Sequence, residues 1–267
     1  MRKLALLVGI NYTDTEYSLK GCINDAKGIV ELLVKDFKFN LEDIQILVDE
    51  VATKKNILDG LDRLVKETGK GDIGLFYYAG HGTQTADLPP IDEMDMLDEA
   101  LVPFDAIKVI NNGDDEIDSS KLIRDDEINE KLSLLSTDTH FVVIFDSCNS
   151  YTGSHNLIAP KSRSIPAPSY VNKITEMIKD LPMDSSARGL HTHKKINHIL
   201  LAGCKDDQSS FDDGVHGYFT SELLKEMKPG RTYQELHDII VPKIVERSKG
   251  AQEPQFEGPI LNKKIFE

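Results

Sequence analysis

Ile73-Gly74-Leu75-Phe76-Tyr77-Tyr78-Ala79-Gly80-His81-Gly82 is a continuous apolar run that ends in a glycine–histidine–glycine turn. A short run without polar alternation, bounded by glycine, reads as a strand buried on both faces. Working outward, residues 3–10, 43–48, 141–146 and 198–203 read the same way. Between these runs the period changes to that of helices. Residues 24–36 carry Ala26, Ile29, Val30 and Leu33 on one face, and residues 53–67 open on a Thr53 cap and carry Ile57, Leu61, Leu64 and Val65. Residues 125–135, 217–227 and 232–247 are further helices, the fourth ended by Pro229-Gly230. Strands alternating with helices predict an α/β domain with a mostly parallel sheet covered on both faces. Sites on such sheets lie at the carboxyl ends of the strands.

Two stretches break the rhythm: 83–112, long and acidic, and 149–195, rich in Ser, Pro and basic residues apart from a helix-like 170–181. Long irregular connections within a domain are commonly functional or flexible. At 267 residues the chain is long enough for one sizeable core, and 40% hydrophobic with 28% charged residues is an ordinary globular composition. No apolar run reaches membrane-spanning length. Met1-Arg2-Lys3-Leu4 leads straight into a strand without a small-residue cleavage site, so the expectation is a cytoplasmic protein without a signal peptide. A net charge of −14 argues against nucleic acid and anionic membrane as partners and favours basic peptides or divalent cations.

Cys22, Cys148 and Cys204 fit neither a disulfide framework nor a zinc ribbon. The histidines His191, His193 and His198 are no better as a metal set, since no Cys or carboxylate completes them. His81 and Cys148 each follow the end of a predicted strand. A thiol is mostly protonated at neutral pH, and an imidazole can take its proton and later return it to a leaving amine. The N–H groups of Gly82 and Cys148 are placed to stabilise an oxyanion. Spacing alone equally allows a turn histidine and a buried core thiol.

The ordered series Asn11-Tyr12, Leu19-Lys20-Gly21-Cys22-Ile23-Asn24-Asp25-Ala26, Tyr77-Tyr78-Ala79-Gly80-His81-Gly82-Thr83-Gln84, Asp98-Glu99-Ala100-Leu101-Val102-Pro103, Asp125-Asp126-Glu127-Ile128 and Phe145-Asp146-Ser147-Cys148 resembles the successive signatures of metacaspases. Gly203-Cys204-Lys205-Asp206-Asp207-Gln208-Ser209-Ser210 and Gln252-Glu253-Pro254-Gln255 resemble the family's carboxyl-terminal part. The resemblance implies a caspase-like three-layer α/β/α sandwich in one domain over 1–267. Residues 1–152 would correspond to a large subunit with the Cys–His dyad, 153–195 to a linker and 196–267 to a small subunit. It implies a cysteine endopeptidase with Cys148 and His81 as dyad, cleaving after Arg or Lys and acting as a monomer. The pattern Gln-Ala-Cys-x-Gly of enzymes that cleave after Asp is absent.

By the same resemblance, Asp25 and Asp146 form the pocket for the residue before the scissile bond (P1), with Cys22 and Ala79 as its wall. Taken structurally, Asp25 is also an acid at a helix start, and Asp146 is also able to orient a neighbour. Calcium is implied as a cofactor, held by Asp98, Asp125 and Asp126. The further acid that relatives carry after the nucleophile is missing from 151–158, and 92–95 lacks EF-hand spacing. Self-cleavage is expected at Lys161, Arg163, Arg188, Lys194 or Lys195, because exposed linkers are where nicking concentrates. One departure stands out: the nucleophile continues as Cys148-Asn149-Ser150-Tyr151, with the glycine delayed to Gly153. That change motivates the alternative of a caspase-fold pseudo-peptidase acting as a binding or regulatory module.

Overall fold

The computed structural model describes residues 1–86, 97–109, 115–136, 138–148, 161–168, 171, 197–205 and 208–267. Its centre is a six-stranded sheet of β1 (Lys3–Gly9), β2 (Ile44–Val48), β3 (Ile73–Ala79), β9 (His140–Asp146), β11 (Ile199–Ala202) and β13 (Gln255–Glu257). The spatial order is β13-β11-β9-β3-β1-β2, with every pairing parallel except β11 with β13. All seven residues of β3 are buried, as its unbroken apolar run predicts.

The crossovers decide which face each helix covers. From β1 the chain passes through α1 (Cys22–Lys35) outward to β2, then returns through α2 (Lys54–Glu67) to β3 on the other side of β1. Right-handed crossovers in opposite directions place α1 and α2 on opposite faces. The step from β3 to β9 runs in the same direction as α2's, so α3 (Asp125–Leu132) shares that face and packs on α2. On the other face α1 packs against α4 (Tyr218–Glu226), which packs against α5 (Tyr233–Arg247). Thr53 caps α2 by accepting from Asn56 N, and Thr232 with Glu235 forms a capping box on α5.

Part of the stretch expected to be irregular is ordered. β4 (Gly82–Ala86), β5 (Leu97–Leu101) and β8 (Ile123–Arg124) make an antiparallel sheet, and β6 (Ile107–Lys108) pairs with β7 (Glu116–Ile117). Within 149–195, β10 (Lys161–Ser162) pairs antiparallel with β12 (Phe211–Asp212). Apart from Val171, the helix expected over 170–181 lies outside the described residues, as do residues 149–151. Among the described residues no helix is long and apolar enough to cross a membrane.

Candidate active site

The carboxyl ends of β1, β3 and β9 open on one cleft, and each delivers a residue that the sequence singled out. His81 follows β3. Its backbone is fixed by two buried tyrosines, with His81 N donating to the Tyr12 hydroxyl at 2.9 Å and Tyr78 donating to the His81 carbonyl at 2.8 Å. Gly80 makes this possible, because a Cβ there would overlap both tyrosine hydroxyls. His81 Nε2 lies 2.6 Å from the Tyr17 carbonyl, which can only accept, so Nε2 carries the hydrogen and Nδ1 is the bare nitrogen. Nδ1 is buried without a hydrogen-bond partner among the described residues. Burial lowers the imidazole pKa to about 4 against the support of the Tyr17 carbonyl, so the ring is neutral at neutral pH.

Cys148, two residues beyond β9, is also buried. Its Sγ rests on the backbone of Ser210, 3.5 Å from the carbonyl and in close contact with the N–H, rather than on His81.

The cleft between these residues holds a piece of the chain itself. Arg163 lies across it in extended form: its N–H donates to the Ser210 carbonyl at 2.9 Å, and its carbonyl accepts from Gly82 N at 3.0 Å and Cys148 N at 3.3 Å. Ahead of it, Lys161 and Ser162 pair with Asp212 and Phe211. Its guanidinium, with no exposed surface, enters the space between α1 and the end of β9. Nη2 meets Asp25 at 2.6 Å and Asp212 at 3.0 Å, while Nη1 meets Asp146 at 2.9 Å. Burial works against this charge, but Asp146, Cys22, Asp25 and Asp212 outweigh it and raise the pKa. Burying such a cation is unfavourable by several kcal/mol unless anions already wait for it.

Those anions are held in turn. Asp146 accepts from Ser210 Oγ at 2.7 Å and from the backbone and hydroxyl of Thr220 at 3.0 and 2.6 Å. Asp25 accepts from Gly217 N at 3.0 Å and faces His216 Nδ1 at 2.7 Å. Burial raises the Asp25 pKa, partly offset by Arg163 and His216. The His216 pKa is raised by its hydrogen bond to Asp25. Gly217 forms the floor of the pocket, where any Cβ would collide with Asp146 and with the Arg163 guanidinium.

The structure thus brings together His81, Gly82, Cys148, Asp25 and Asp146, with Cys22 and Ala79 buried alongside. Sequence reasoning missed Asp212, His216 and Gly217. It named Arg163 only as one of five basic residues, of which Arg188, Lys194 and Lys195 lie outside the described residues together with His191 and His193. The only local signal for Arg163 is its setting between Ser162 and Ser164, small enough to let a backbone lie in a cleft.

Among the described residues no group of three His, Cys, Asp or Glu side chains is arranged to hold a metal. Asp98 is 3% exposed and lies 3.3 Å from Arg124 Nε, and Asp125 accepts from Asn129 on its own helix at 3.3 Å. For Asp98 to hold calcium, Arg124 would have to give way.

A sheet with this strand order, carrying a His turn after one central strand and a Cys turn after its neighbour, defines a caspase-type fold. The Caspase domain profile matches residues 2–266, and the chain belongs to that family. It is 38% identical to Metacaspase-1B of Neurospora crassa over 293 aligned positions, covering 95% of this chain and 66% of that protein. It is 30% identical to Metacaspase-1 of Schizosaccharomyces pombe over 264 positions, covering 83% of this chain and 58% of the relative. The chain therefore spans less than two thirds of the length of either. Among solved structures, protein GSU0716 from Geobacter sulfurreducens matches with a TM-score of 0.65 at 24% identity, covering 96% of this chain and 93% of that one. Caspase-1 from Spodoptera frugiperda matches with a TM-score of 0.53 at 11% identity, covering 96% and 86%. Both support the three-layer fold.

Proposed function

We propose that the protein is a cysteine endopeptidase that cleaves after arginine and, less well, lysine, and that its own Arg163–Ser164 bond is its first substrate. One observation carries this: the Arg163 carbonyl oxygen receives the N–H groups of both Gly82 and Cys148 while its side chain fills an acidic pocket. That is how a scissile carbonyl is polarised in acyl transfer. The Cys148 thiol gives its proton to His81 Nδ1, and the sulfur attacks the Arg163 carbonyl carbon. The negative charge that develops on the oxygen is held by the Gly82 and Cys148 N–H groups. As the C–N bond breaks, His81 returns the proton to the Ser164 amine, leaving a thioester that water hydrolyses to regenerate the thiol.

The pocket favours arginine over lysine because Asp146 engages one end of the guanidinium fork and Asp25 with Asp212 the other. A compact ammonium cannot reach both ends at once. An acidic P1 residue would add a fourth anion to the pocket and leave it unpaired.

A second reading, a caspase-fold binding module without turnover, is favoured by the contact of Cys148 Sγ with Ser210 instead of His81. Intact-mass analysis of incubated protein separates the two. The peptidase reading expects a fragment beginning at Ser164 in the wild type and none in Cys148→Ala. An uncut chain that also leaves P1-Arg peptides intact would establish the binding module instead.

A further inference from the structure

Beyond the Arg163 carbonyl the chain stays in the cleft. Ser164 forms a parallel bridge with Gly82, and Ile165 N donates to the Gly82 carbonyl at 3.0 Å. Thr83 Oγ1, itself buried, donates to the Ile165 carbonyl at 3.1 Å. The Ile165 side chain is 1% exposed and belongs to the main apolar core. The side before the bond is different in kind outside P1. Ser162 presents only a hydroxyl, turned to Ser164 Oγ at 2.7 Å, and exposed Lys161 reaches the Ser18 carbonyl at 2.7 Å.

We propose that the apolar socket filled by Ile165, beside the register that Gly82 and Thr83 at the start of β4 impose on the backbone, is a second specificity site, for the residue two positions after the scissile bond (P2′), and that it selects a branched aliphatic side chain. The inference rests on the reading that Arg163–Ser164 is the bond presented to Cys148. The backbone bonds to Gly82 and Thr83 are indifferent to side chain, so they fix the register of the departing segment without choosing its sequence. The choice is made by the apolar socket that Ile165 fills. A polar or charged P2′ residue would be buried there with no partner, and a smaller one would leave part of the socket empty. Ser162 and Lys161 meet no comparable enclosure. Discrimination outside P1 therefore falls on the departing side, and the preferred substrates read Arg-Ser-Ile or Arg-small-Val rather than any sequence with an accessible arginine.

The test uses self-processed wild-type protein and internally quenched peptides Lys-Ser-Arg-Ser-Xaa-Pro in which Xaa is Ile, Val, Ala or Asp. A coumarin amide of Lys-Ser-Arg, which has nothing after the bond, is the companion substrate. The Ile and Val peptides should be cleaved with similar kcat/KM, Ala about tenfold or more below them, as expected for methylenes lost from an apolar pocket, and Asp lower still. A flat series, with the coumarin amide turned over normally, overturns the P2′ site while leaving the P1 reading standing. Failure to cleave either kind of substrate removes the P1 reading and the P2′ site with it.

Discussion

Removing the Arg163 guanidinium is the most informative perturbation of this molecule, because that charge balances three buried carboxylates in the pocket proposed for P1. Taking one partner from a buried ion pair leaves the others without compensation, a loss of about 3–5 kcal/mol. A domain of this size shifts its melting temperature by about 2–4 °C per kcal/mol, so Arg163→Ala should melt about 6–20 °C lower. The comparison belongs in a Cys148→Ala background, where self-cleavage cannot complicate it. The loss should depend on pH. The Asp25 pKa is already raised by burial with the arginine in place, and removing the arginine takes away its largest opposing influence. A carboxyl with a raised folded-state pKa favours the fold most below its unfolded value and loses that contribution as pH rises through the raised one. The deficit is therefore largest at neutral pH and shrinks toward pH 4. Methylguanidine should refill the pocket, recovering about 2.7 kcal/mol at a hundredfold excess over its Kd, and should do nothing for the parent, whose pocket is full. Equal melting of parent and Arg163→Ala at pH 7.5, with no response to methylguanidine, would refute the argument that these carboxylates depend on this cation.

Cys148→Ala and His81→Ala should each lower turnover of P1-Arg peptides by at least about a thousandfold, with far-UV circular dichroism showing the fold retained. Asp212→Asn should weaken P1-Arg cleavage by about 2–5 kcal/mol in kcat/KM and narrow the preference for Arg over Lys, measured on matched peptides. The His216 pKa is raised from 6.5 chiefly by its bond to Asp25, so the stability this contact lends is fully present below pH 6.5 and is lost as pH rises through the raised value. Melting temperature against pH should fall across that window in Cys148→Ala, and His216→Gln should flatten it. Calcium dependence through Asp98, Asp125 and Asp126 is checked with excess chelator: loss of P1-Arg cleavage that added calcium restores in the wild type but not in Asp98→Asn would support it, and undiminished cleavage would reject it.

The central sheet was legible because strands buried on both faces must be apolar along most of their length: β3 is so throughout, β1 after Lys3, and β9 between His140 and Asp146. His81 and Cys148 stood out because polar residues appear abruptly where such runs end, but spacing alone equally allowed a turn histidine and a core thiol, and the resemblance singled them out as a pair. The sheet of β4, β5 and β8 escaped notice because Thr83, Gln84 and Thr85 carry no apolar period, and their burial comes from tertiary packing. Of the pocket acids, Asp25 and Asp146 could be named, but only through resemblance. Asp212 sits beside Asp213, and nothing local distinguishes the acid aimed at Arg163 from the one that pairs with Arg247 at the surface. Arg163 could not be ranked above its basic neighbours, since its place depends on β12 and Ser210, far along the chain.

Ser210 joins parts of the cleft that are usually discussed separately. Its carbonyl receives Arg163 N, its backbone touches Cys148 Sγ, and its hydroxyl is bonded to Asp146 and held by Gln252 Nε2 at 3.1 Å. A shift of the Asp146 carboxylate is therefore transmitted through one side chain to the platform beneath the sulfur. On the proposed reading, an ill-fitting P1 residue would be penalised in the chemical step as well as in affinity, and discrimination would persist even when substrate is saturating.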